Sequence, residues 1–428
     1  MNKIEVKLTS FRAIKTAKIA LDGITVISGV NGSGKSTISR LLYCAVNTMC
    51  NFESKVLNDA KRDILSLIGR YTPILRQTQS ALGKSYTDSD ENLIKDAGSF
   101  EELQETVDVV VGNILTKLPP AMSDRYLTYL RIELGSGESS SDAVTRHITE
   151  TGLACGDIIT SAREIAAEMP KRNLFDFIRR SNSDLEDFSG NYFQFVENGE
   201  NLIGKDTFTQ PISLTSAIYV DTPMALNANL NWSNPNWSRL TDLMIKDLGR
   251  TITKEASSII EDINKLIHGR VVVESSGSRN SLTRLVFERE DGLRIRLENA
   301  ATGFKSFAYV MRLLSNGELN SSSLLVIDEP EAHLHPQWVV EFARILVRLH
   351  KEMGIRLMVT SHSTDMVLAI QRIADEEGCI DRTRFYLAES ADEYRYNYVD
   401  LGSDVERIFE CFNKSLEKIE EYGGGSLV

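Results

Sequence analysis

The chain has 428 residues, 42% of them hydrophobic and 25% charged, which is typical of a globular protein large enough for two or three domains. Its formal net charge of −12 argues against a broadly basic nucleic-acid-binding protein, although a local basic groove stays open as an alternative. Five scattered cysteines without a C-x-x-C pair indicate neither a disulfide framework nor a zinc ribbon, and the lack of a signal peptide or of an apolar run of roughly 18 residues predicts a cytoplasmic protein without a membrane segment.

Residues 1–48 have the pattern of an α/β domain that is just beginning. Ile4–Leu8 alternates apolar and polar side chains, as half-buried strands do, and Lys18–Leu21 is a second candidate strand. Ile24–Ser28 is apolar enough for a buried strand, and Ile38–Val46 follows as a helix.

Between that strand and that helix, the segment from Gly29 to Thr37 fits the phosphate-binding pattern G-x-x-x-x-G-K-[ST]. Its glycines let backbone N–H groups curl around phosphate oxygens, and the helix N-terminus adds partial positive charge. We predict that Lys35 reaches the β- and γ-phosphates of a nucleotide and that Ser36 places its hydroxyl on Mg²⁺. The alternative is a glycine-rich turn that caps a helix. The residues predicted to bind nucleotide here are Gly29, Asn31, Gly32, Ser33, Gly34, Lys35, Ser36 and Thr37.

From residue 49 to 212 the chain changes character and predicts a mainly helical insertion. Helical periodicity dominates in four segments, which are Ser54–Gly69, Phe100–Leu118, Asp124–Leu134 and Asp157–Glu168. No heptad pattern persists for three or four repeats, so we do not expect a long coiled-coil arm.

The α/β pattern resumes over 213–398, which we predict to be the second segment of the same domain, followed by a C-terminal helix and tail over 399–428. The helix is expected to end near Tyr422. Within the second segment the predicted elements are a strand at Ala217–Val220, a helix at Asp247–Ile267, antiparallel strands at Arg270–Glu274, Arg284–Glu288 and Leu293–Leu297, and a helix at Ser306–Leu314.

A second apolar strand, Leu324–Ile327, ends in two carboxylates. A P-loop protein needs one acid in this position to hold the water shell of Mg²⁺, and Asp328 fits that role. Glu329 comes next and is placed to polarise the attacking water as a general base. The alternative is a buried strand that stops at a charged turn.

Downstream, the apolar strand Arg356–Thr360 is followed by His362, which is placed to contact the γ-phosphate and sense its loss. The alternative is a capping histidine. His333 and His335 are two residues apart, but no third ligand is evident, so we do not predict a metal site there.

The P-loop, the pair Asp328 and Glu329, and His362 together resemble an ABC-type ATPase of the SMC and RecF kind, whose opening is also similar to residues 8–15. The string from Ile327 to Pro336 resembles the OLD-like (overcoming lysogenization defect) AAA-family ATPases of bacterial anti-phage systems. The resemblance covers roughly residues 1–48 and 213–390. It implies an ABC-type P-loop NTPase head, a mixed sheet flanked by helices, with ATP and Mg²⁺ as its ligands.

The resemblance also implies a signature loop that binds the γ-phosphate across a dimer. In this sequence Thr302 and Gly303 match its core, while Phe304 and Lys305 stand where a second glycine is expected. The alternative is a simple N-terminal cap on the helix that follows.

Three further roles come from the resemblance alone. Arg12 is expected near the adenine or ribose edge, with a surface arginine as the alternative. The stretch after Glu329 corresponds to the D-loop. A glutamine is expected to touch Mg²⁺, and Gln77, Gln194 and Gln210 stay open as candidates.

The implied function is an ATP-hydrolysing switch in which two copies, or a higher oligomer, sandwich ATP. OLD proteins carry a Toprim nuclease, which needs several carboxylates. Here Phe385–Ser390 offers one strand and one acid, so we predict no nuclease activity in this chain.

We therefore expect a separate effector nuclease or toxin, as in two-gene defence systems such as PARIS and Septu. The alternative is a RecF-like repair or recombination ATPase whose insertion contacts DNA, although the acidic net charge weighs against that role.

Overall fold

The computed structural model describes residues 2–81, 89–118, 123–190, 192–221, 235–245, 251–274 and 284–413. The chain divides into two compact units. The first, which we call the sheet unit, comprises Met1–Cys50 and Lys171–Val428, and the second, the helical unit, comprises Asn51–Pro170.

Thirteen strands are described, and all of them lie in the sheet unit. In chain order they are β1 (Ile4–Phe11), β2 (Ile14–Ala20), β3 (Ile24–Gly29), β4 (Phe193–Glu197), β5 (Glu200–Asn201), β6 (Ser216–Val220), β7 (Gly269–Glu274), β8 (Arg284–Arg289), β9 (Arg294–Arg296), β10 (Ser323–Asp328), β11 (Arg356–Ser361), β12 (Thr383–Ser390) and β13 (Tyr396–Gly402).

Thirteen α-helices of the described chain accompany them. Those of the sheet unit are α1 (Lys35–Cys50), α8 (Lys171–Ser181), α9 (Pro235–Ile245), α10 (Lys254–Ile267), α11 (Thr302–Ser315), α12 (Pro336–Met353) and α13 (Thr364–Glu376). Those of the helical unit are α2 (Phe52–Ile68), α3 (Thr72–Ala81), α4 (Ser89–Asp96), α5 (Phe100–Lys117), α6 (Ser123–Leu130) and α7 (Ser140–Glu168).

The main sheet has ten strands in the order β5-β4-β1-β2-β13-β12-β3-β11-β10-β6, and β7, β8 and β9 form a second, antiparallel sheet. Strands β12, β3, β11, β10 and β6 run parallel to one another, whereas β1, β2, β4 and β5 are antiparallel. Every residue of β3, β10 and β11 is buried, which explains their largely apolar sequences. The predicted mixed α/β fold class is confirmed.

Parallel pairing brings the carboxyl ends of β3, β10 and β11 to one edge of the sheet. Asp328 lies opposite Thr360 in the ladder, and Ser361 lies opposite Ser28. Ligands of open α/β sheets bind at such an edge. Helices α10, α11, α12 and α13 pack one face of the sheet into a single hydrophobic core, in which Phe307 and Phe342 meet edge to face at 5.3 Å between ring centroids.

The helical segment is shorter than the predicted 49–212, because the helical unit ends at Pro170. Residues after it form α8 and then β4, which pairs with β1 and buries Phe193 and Phe195 on one face. The alternation of phenylalanine with polar residues there is a strand pattern. The prediction of a mainly helical segment over 49–212 was wrong for these residues, because it was based on the helical periodicity that precedes them.

Two predicted boundaries also move. The helix predicted from Asp247 begins at Lys254, where the Thr253 side chain accepts a hydrogen bond from Ala256 N; 247–250 lie outside the described residues. Strand β13 continues to Gly402, four residues into the predicted tail, and residues 406–413 are helical. Tyr422 lies beyond the described residues.

The helical unit has its own part-buried polar cluster around Tyr71. The Tyr71 hydroxyl lies 2.7 Å from His147 Nδ1 and 2.8 Å from Thr151 Oγ1, which joins the start of α3 to α7. Helix α7 runs unbroken for 29 residues and packs against α2 and α5. Among the helices that the structure describes, none is both long and apolar enough to cross a bilayer.

Candidate nucleotide-binding and hydrolysis site

The P-loop leaves the buried end of β3 and enters α1, in the strand–loop–helix arrangement that its motif requires. Gly32 and Gly34 have φ of +81° and +93°, which L side chains rarely adopt. A Cβ at Gly34 would also lie 3.1 Å from Ile14 Cγ1. These two glycines therefore set the curvature of the loop.

Lys35 is buried, 5% exposed, at the first position of α1. Its ammonium donates hydrogen bonds to the carbonyl oxygens of Gly29 at 2.8 Å and Val30 at 3.1 Å. Burial lowers the pKa of Lys35, while Glu329, Asp328 and Glu331 act in the opposite direction. A buried cation beside three acids is an arrangement suited to a polyphosphate with its metal.

A hydrogen bond from strand β13 also fixes the P-loop. The Tyr398 hydroxyl on β13 donates to the carbonyl oxygen of Ser33 at 3.1 Å. The buried hydroxyls of Ser33 and Ser28 have no hydrogen-bond partner within the part of the chain that the structure describes. Polar groups left in this way are exceptions in folded proteins and fit a site that receives a polar ligand.

Asp328 is buried at the end of β10, and both of its carboxylate oxygens accept hydrogen bonds. Thr360 on β11 donates to Oδ1, and Tyr219 on β6 donates to Oδ2 at 3.4 Å. Arg40 on α1 in turn donates from Nε to the Tyr219 hydroxyl at 3.2 Å and pairs through Nη1 with Asp184. The neighbouring strands on both sides thus orient the predicted metal ligand.

Glu329 turns away from the strand with φ of +49°, a conformation that is uncommon for a residue with a Cβ. Its backbone N–H donates to Thr360 O at 2.9 Å, which fixes the turn. Its Oε1 lies 3.2 Å from His362 Nδ1. The structure therefore brings together Lys35, Asp328, Glu329 and His362, the four residues predicted to carry the chemistry.

Glu331 also belongs to this group, although the sequence placed it only in the D-loop stretch. It is buried, and its Oε1 accepts hydrogen bonds from Ser361 Oγ at 2.8 Å and His362 N at 3.0 Å. Thr360, Tyr219 and Tyr398 were not predicted either. No sequence motif marks them, since each reaches the site through strand pairing.

The signature residues lie on another element, the first turn of α11, which begins four residues before the predicted helix. The N-cap residue Ala301 offers no side-chain hydrogen bond to the first turn. Gly303 is buried, and a Cβ there would lie 3.2 Å from the Trp338 ring. Lys305 turns back to donate to Glu298 O at 2.7 Å.

Arg12 lies in the β1–β2 turn with φ of +51°. It binds Asp187 with both guanidinium arms, Nε to Oδ2 at 3.1 Å and Nη2 to Oδ1 at 2.7 Å. A Cβ placed on Gly34 would lie 3.6 Å from the Cβ of Ala13, so this turn adjoins the P-loop. The expected role of Arg12 at the nucleotide edge stays a prediction.

The glutamine candidates are dispersed. Gln77 lies on α3 of the helical unit, Gln194 is exposed on β4, and Gln210 lies outside the named elements, so the choice stays open. His335 caps α12, with its Nδ1 accepting from Gln337 N at 3.4 Å. No cluster of three His, Cys, Asp or Glu suited to a metal is found in the described ranges.

Mg²⁺ prefers oxygen ligands and retains waters when it accompanies a phosphate. The Ser36 hydroxyl on the first turn of α1 and the oriented carboxylate of Asp328 offer such ligands, so the residues present fit this ion. When bound, Mg²⁺ would neutralise phosphate charge as a Lewis acid.

Two segments of the chain match families of the ATPase type. Residues 1–107, with the P-loop, match the family described as "AAA ATPase domain". Residues 229–368, with the signature residues, the acidic strand and His362, match the family described as "AAA domain, putative AbiEii toxin, Type IV TA system". Both halves of the site thus fall within an ATPase match.

The chain is also similar to the energy-coupling factor transporter ATP-binding protein EcfA2 of Clostridium perfringens, at 34% identity over 91 residues. That match covers 18% of this chain and 32% of the relative, so the chain spans about a third of the length of such curated relatives.

Solved structures similar to the chain include the Smc head domain with an extended coiled coil, bound to the C-terminal domain of ScpA, from Pyrococcus furiosus (TM-score 0.36, 12% identity, 98% of this chain and 100% of that chain). Another is the ADP conformation of MJ1267, an ATP-binding cassette of an ABC transporter (TM-score 0.37, 10% identity, 100% of each chain). TM-scores below 0.5 do not by themselves establish a common fold. The family matches show AAA-type ATPase sequence in two segments of this chain, residues 1–107 with the P-loop and residues 229–368 with the acidic strand.

Proposed function

We propose that this protein binds ATP with Mg²⁺ and hydrolyses it to ADP and phosphate. The observation that carries the proposal is the convergence of Lys35, Asp328, Glu329 and His362 at one edge of the main sheet. Hydrolysis requires each of the functions that these four side chains supply.

In the proposed reaction, water attacks the γ-phosphorus and the bond from that phosphorus to the bridging oxygen breaks. Glu329 accepts the proton of the water as general base. Lys35 and the backbone N–H groups of the P-loop stabilise the charge on the transferring group and on the leaving ADP. His362 contacts a γ-phosphate oxygen, and Ser36 and Asp328 would hold Mg²⁺.

Glu329→Gln keeps the size of the side chain and removes the base. We expect phosphate release to fall by about 10²- to 10⁴-fold, the usual contribution of a general base, while ATP binding persists. The measurement is steady-state phosphate release beside equilibrium binding of ATP. Wild-type protein that binds ATP but releases phosphate no faster than Glu329→Gln would contradict the proposal.

We extend the proposal to an ATP-dependent homodimer in which each P-loop faces the partner's signature turn. The first turn of α11 supports this, because its N–H groups lack a side-chain cap from Ala301 and a helix N-terminus suits an anion. In light scattering, Glu329→Gln should gain mass with ATP, and the addition of Thr302→Pro, which removes the hydroxyl and the backbone N–H of that residue, should abolish the gain. An unchanged mass for Glu329→Gln would rule out the simple sandwich.

The biological role proposed is the ATPase component of an anti-phage system, an OLD-like switch that controls a separate effector. Its support is the match of residues 229–368 to a family described with a toxin–antitoxin system. Co-purification with the product of a neighbouring gene identified as a nuclease or toxin tests it. A gel shift that needs both ATP and DNA ends would favour the RecF-like alternative instead.

The predicted lack of nuclease activity stays a prediction. Glu389, the acid at the end of β12, is paired with Arg407. Mn²⁺-dependent nicking of DNA by the pure protein, lost in Glu389→Ala, would show that the prediction is wrong.

A further inference from the structure

Glu331 lies in the acidic turn after β10 and is buried. Its side chain, which ends in a carboxyl group, is only 7% exposed. Oε1 accepts two hydrogen bonds from the end of β11, one from Ser361 Oγ at 2.8 Å and one from His362 N at 3.0 Å. Oε2 is buried without a hydrogen-bond partner among the described residues.

The same histidine is held at a second point by its ring. His362 Nδ1 lies 3.2 Å from Glu329 Oε1 and 3.6 Å from Glu331 Oε1. Glu331 thus holds the backbone of His362, while Glu329 is nearest to the ring. With Nδ1 directed at the carboxylates, Nε2 is the ring nitrogen left for a ligand.

The turn that carries the two acids is itself fixed. Ala332 N donates to Glu329 O and Leu334 N donates to Glu331 O, both at 3.0 Å. Glu331 therefore transmits the position of this turn directly to the end of β11. The link joins β10 to the residue after β11 by side-chain contacts, in addition to the backbone ladder.

We propose that Glu331 is a positioning residue that fixes His362 against Glu329. The inference rests on the proposed hydrolysis, because it assigns Glu331 a task within that site. The acceptor oxygen of Glu331 holds the His362 backbone, so that the imidazole keeps Nδ1 on the general base and Nε2 toward the γ-phosphate. The positioning depends on the hydrogen-bond acceptor Oε1 of Glu331, and the side-chain amide oxygen of a glutamine can replace it.

Two variants of nearly equal size separate the acceptor from the packing. Glu331→Gln keeps an acceptor oxygen, and Glu331→Met fills the same space without one. His362 is observed directly in protein labelled at histidine, with its ring signal assigned by its loss in His362→Ala. We expect Glu331→Met to shift the ring signal of His362 and Glu331→Gln to leave it near the wild-type position.

This readout does not need hydrolysis, so it separates the inference from the proposed function. A ring signal that is the same in Glu331→Met and wild type would overturn the positioning role, whatever the activity. A wild-type protein that fails to release phosphate, with the signal shifted in Glu331→Met, would overturn the proposed function alone.

The steady-state kinetics of ATP hydrolysis provide a second test of the positioning role. We expect Glu331→Met to lower kcat by about 10- to 100-fold, as removal of an orienting partner commonly does, with KM changed by less than about threefold. Glu331→Gln should restore most of kcat. In the His362→Ala background Glu331→Met should have no further effect, because the residue acts through that histidine. Equal losses in both backgrounds would contradict the proposal.

Discussion

Buried polar groups occur in both units of this protein, but they are arranged in opposite ways. In the helical unit, Tyr71, His147 and Thr151 satisfy one another between two helices. At the edge of the main sheet, buried serines and one oxygen of Glu331 have no hydrogen-bond partner among the described residues, and Glu329 has a positive φ. The first arrangement stabilises packing, whereas the second lowers stability in the places where a ligand would bind.

This difference predicts which substitutions change function and which change stability. Polar groups at the sheet edge should affect nucleotide binding or hydrolysis with little loss of folding free energy. Polar groups of the helical cluster should do the reverse.

Among the tests of this comparison, the largest effect is expected for Lys35→Ala, on the affinity for ATP. Among the described residues the ammonium donates its hydrogen bonds to the backbone carbonyls of Gly29 and Val30, and without it a bound triphosphate loses its charge-assisted contacts. At about 1.5–3 kcal/mol for each such bond, the Kd for ATP should rise by about 10- to 1,000-fold.

Titration with a fluorescent ATP analogue measures this effect. Lys351→Ala is the matched control, since that lysine is exposed on α12 and pairs with Glu377. If both variants bind ATP like wild type, the sheet edge does not hold the triphosphate through Lys35.

Tyr219→Phe should have a smaller effect, on hydrolysis rather than on binding. It removes the hydrogen bond from the Tyr219 hydroxyl to Asp328 Oδ2. It also removes the acceptor of the hydrogen bond that Arg40 Nε donates to that hydroxyl at 3.2 Å. Loss of an orienting partner of a metal ligand typically costs 10- to 100-fold in metal affinity or activity, so we expect about a tenfold loss that higher Mg²⁺ concentrations reduce.

The control is Tyr43→Phe, on the ring that stacks against Tyr219 at 5.5 Å between centroids. Phosphate release measured across a Mg²⁺ series distinguishes the two variants. A loss in Tyr219→Phe that Mg²⁺ does not change would place the tyrosine outside the metal shell.

Tyr71→Phe tests the helical side of the comparison. It leaves His147 Nδ1 and Thr151 Oγ1 without the shared hydroxyl, which should lower the free energy of unfolding by about 1–3 kcal/mol. Phosphate release should stay within about twofold of wild type, since the cluster is complete within its own unit.

Urea unfolding, followed separately from activity, provides the measurement, and Tyr129→Phe is the control because that ring is exposed on α6. Unchanged stability together with lost hydrolysis would break the comparison, because the helical cluster would then belong to the function.

The sequence was informative where the chemistry is contiguous. The P-loop, the two acids at the end of β10 and His362 after β11 each lie at the carboxyl end of a buried strand. Because parallel strands end at one edge of a sheet, their convergence could be predicted. Tyr219, Thr360 and Tyr398 could not be predicted, because their contacts depend on strand order and register between segments up to hundreds of residues apart. Tyr398 reaches Ser33 across 365 positions of sequence.

Glu331 failed to stand out for a different reason. In sequence it is one of three acids after an apolar strand, and only burial separates its role from that of Glu329. Strand β4 was missed because five residues carry a weak signal when long helices precede them. Short strands owe their pairing to tertiary context more than to local propensity.

The smallest effect concerns Glu331 and pH. Burial raises the pKa of Glu331 above its ordinary value of 4.5, and its hydrogen bonds to Ser361 and His362 only partly offset this. The protonated carboxyl is therefore favoured in the folded state, and its contribution to stability is complete below pH about 4.5 and is lost as pH rises through the folded pKa. Glu331→Gln stays neutral throughout, so its Tm should exceed that of wild type by an amount that grows as the pH rises, on the order of 1–2 °C.

Glu377→Gln provides a control with the opposite sign. Lys351 lowers the pKa of Glu377, so that carboxylate adds stability above its unfolded pKa and loses it as pH falls. Its glutamine variant should fall below wild type at neutral pH and rejoin it in acid. The same behaviour in Glu331→Gln, a Tm below wild type at neutral pH, would show that the positive charge of Lys35 outweighs the burial of Glu331. The sheet edge would then resemble an ordinary ion-pair network and not a site that is destabilised until its ligand binds.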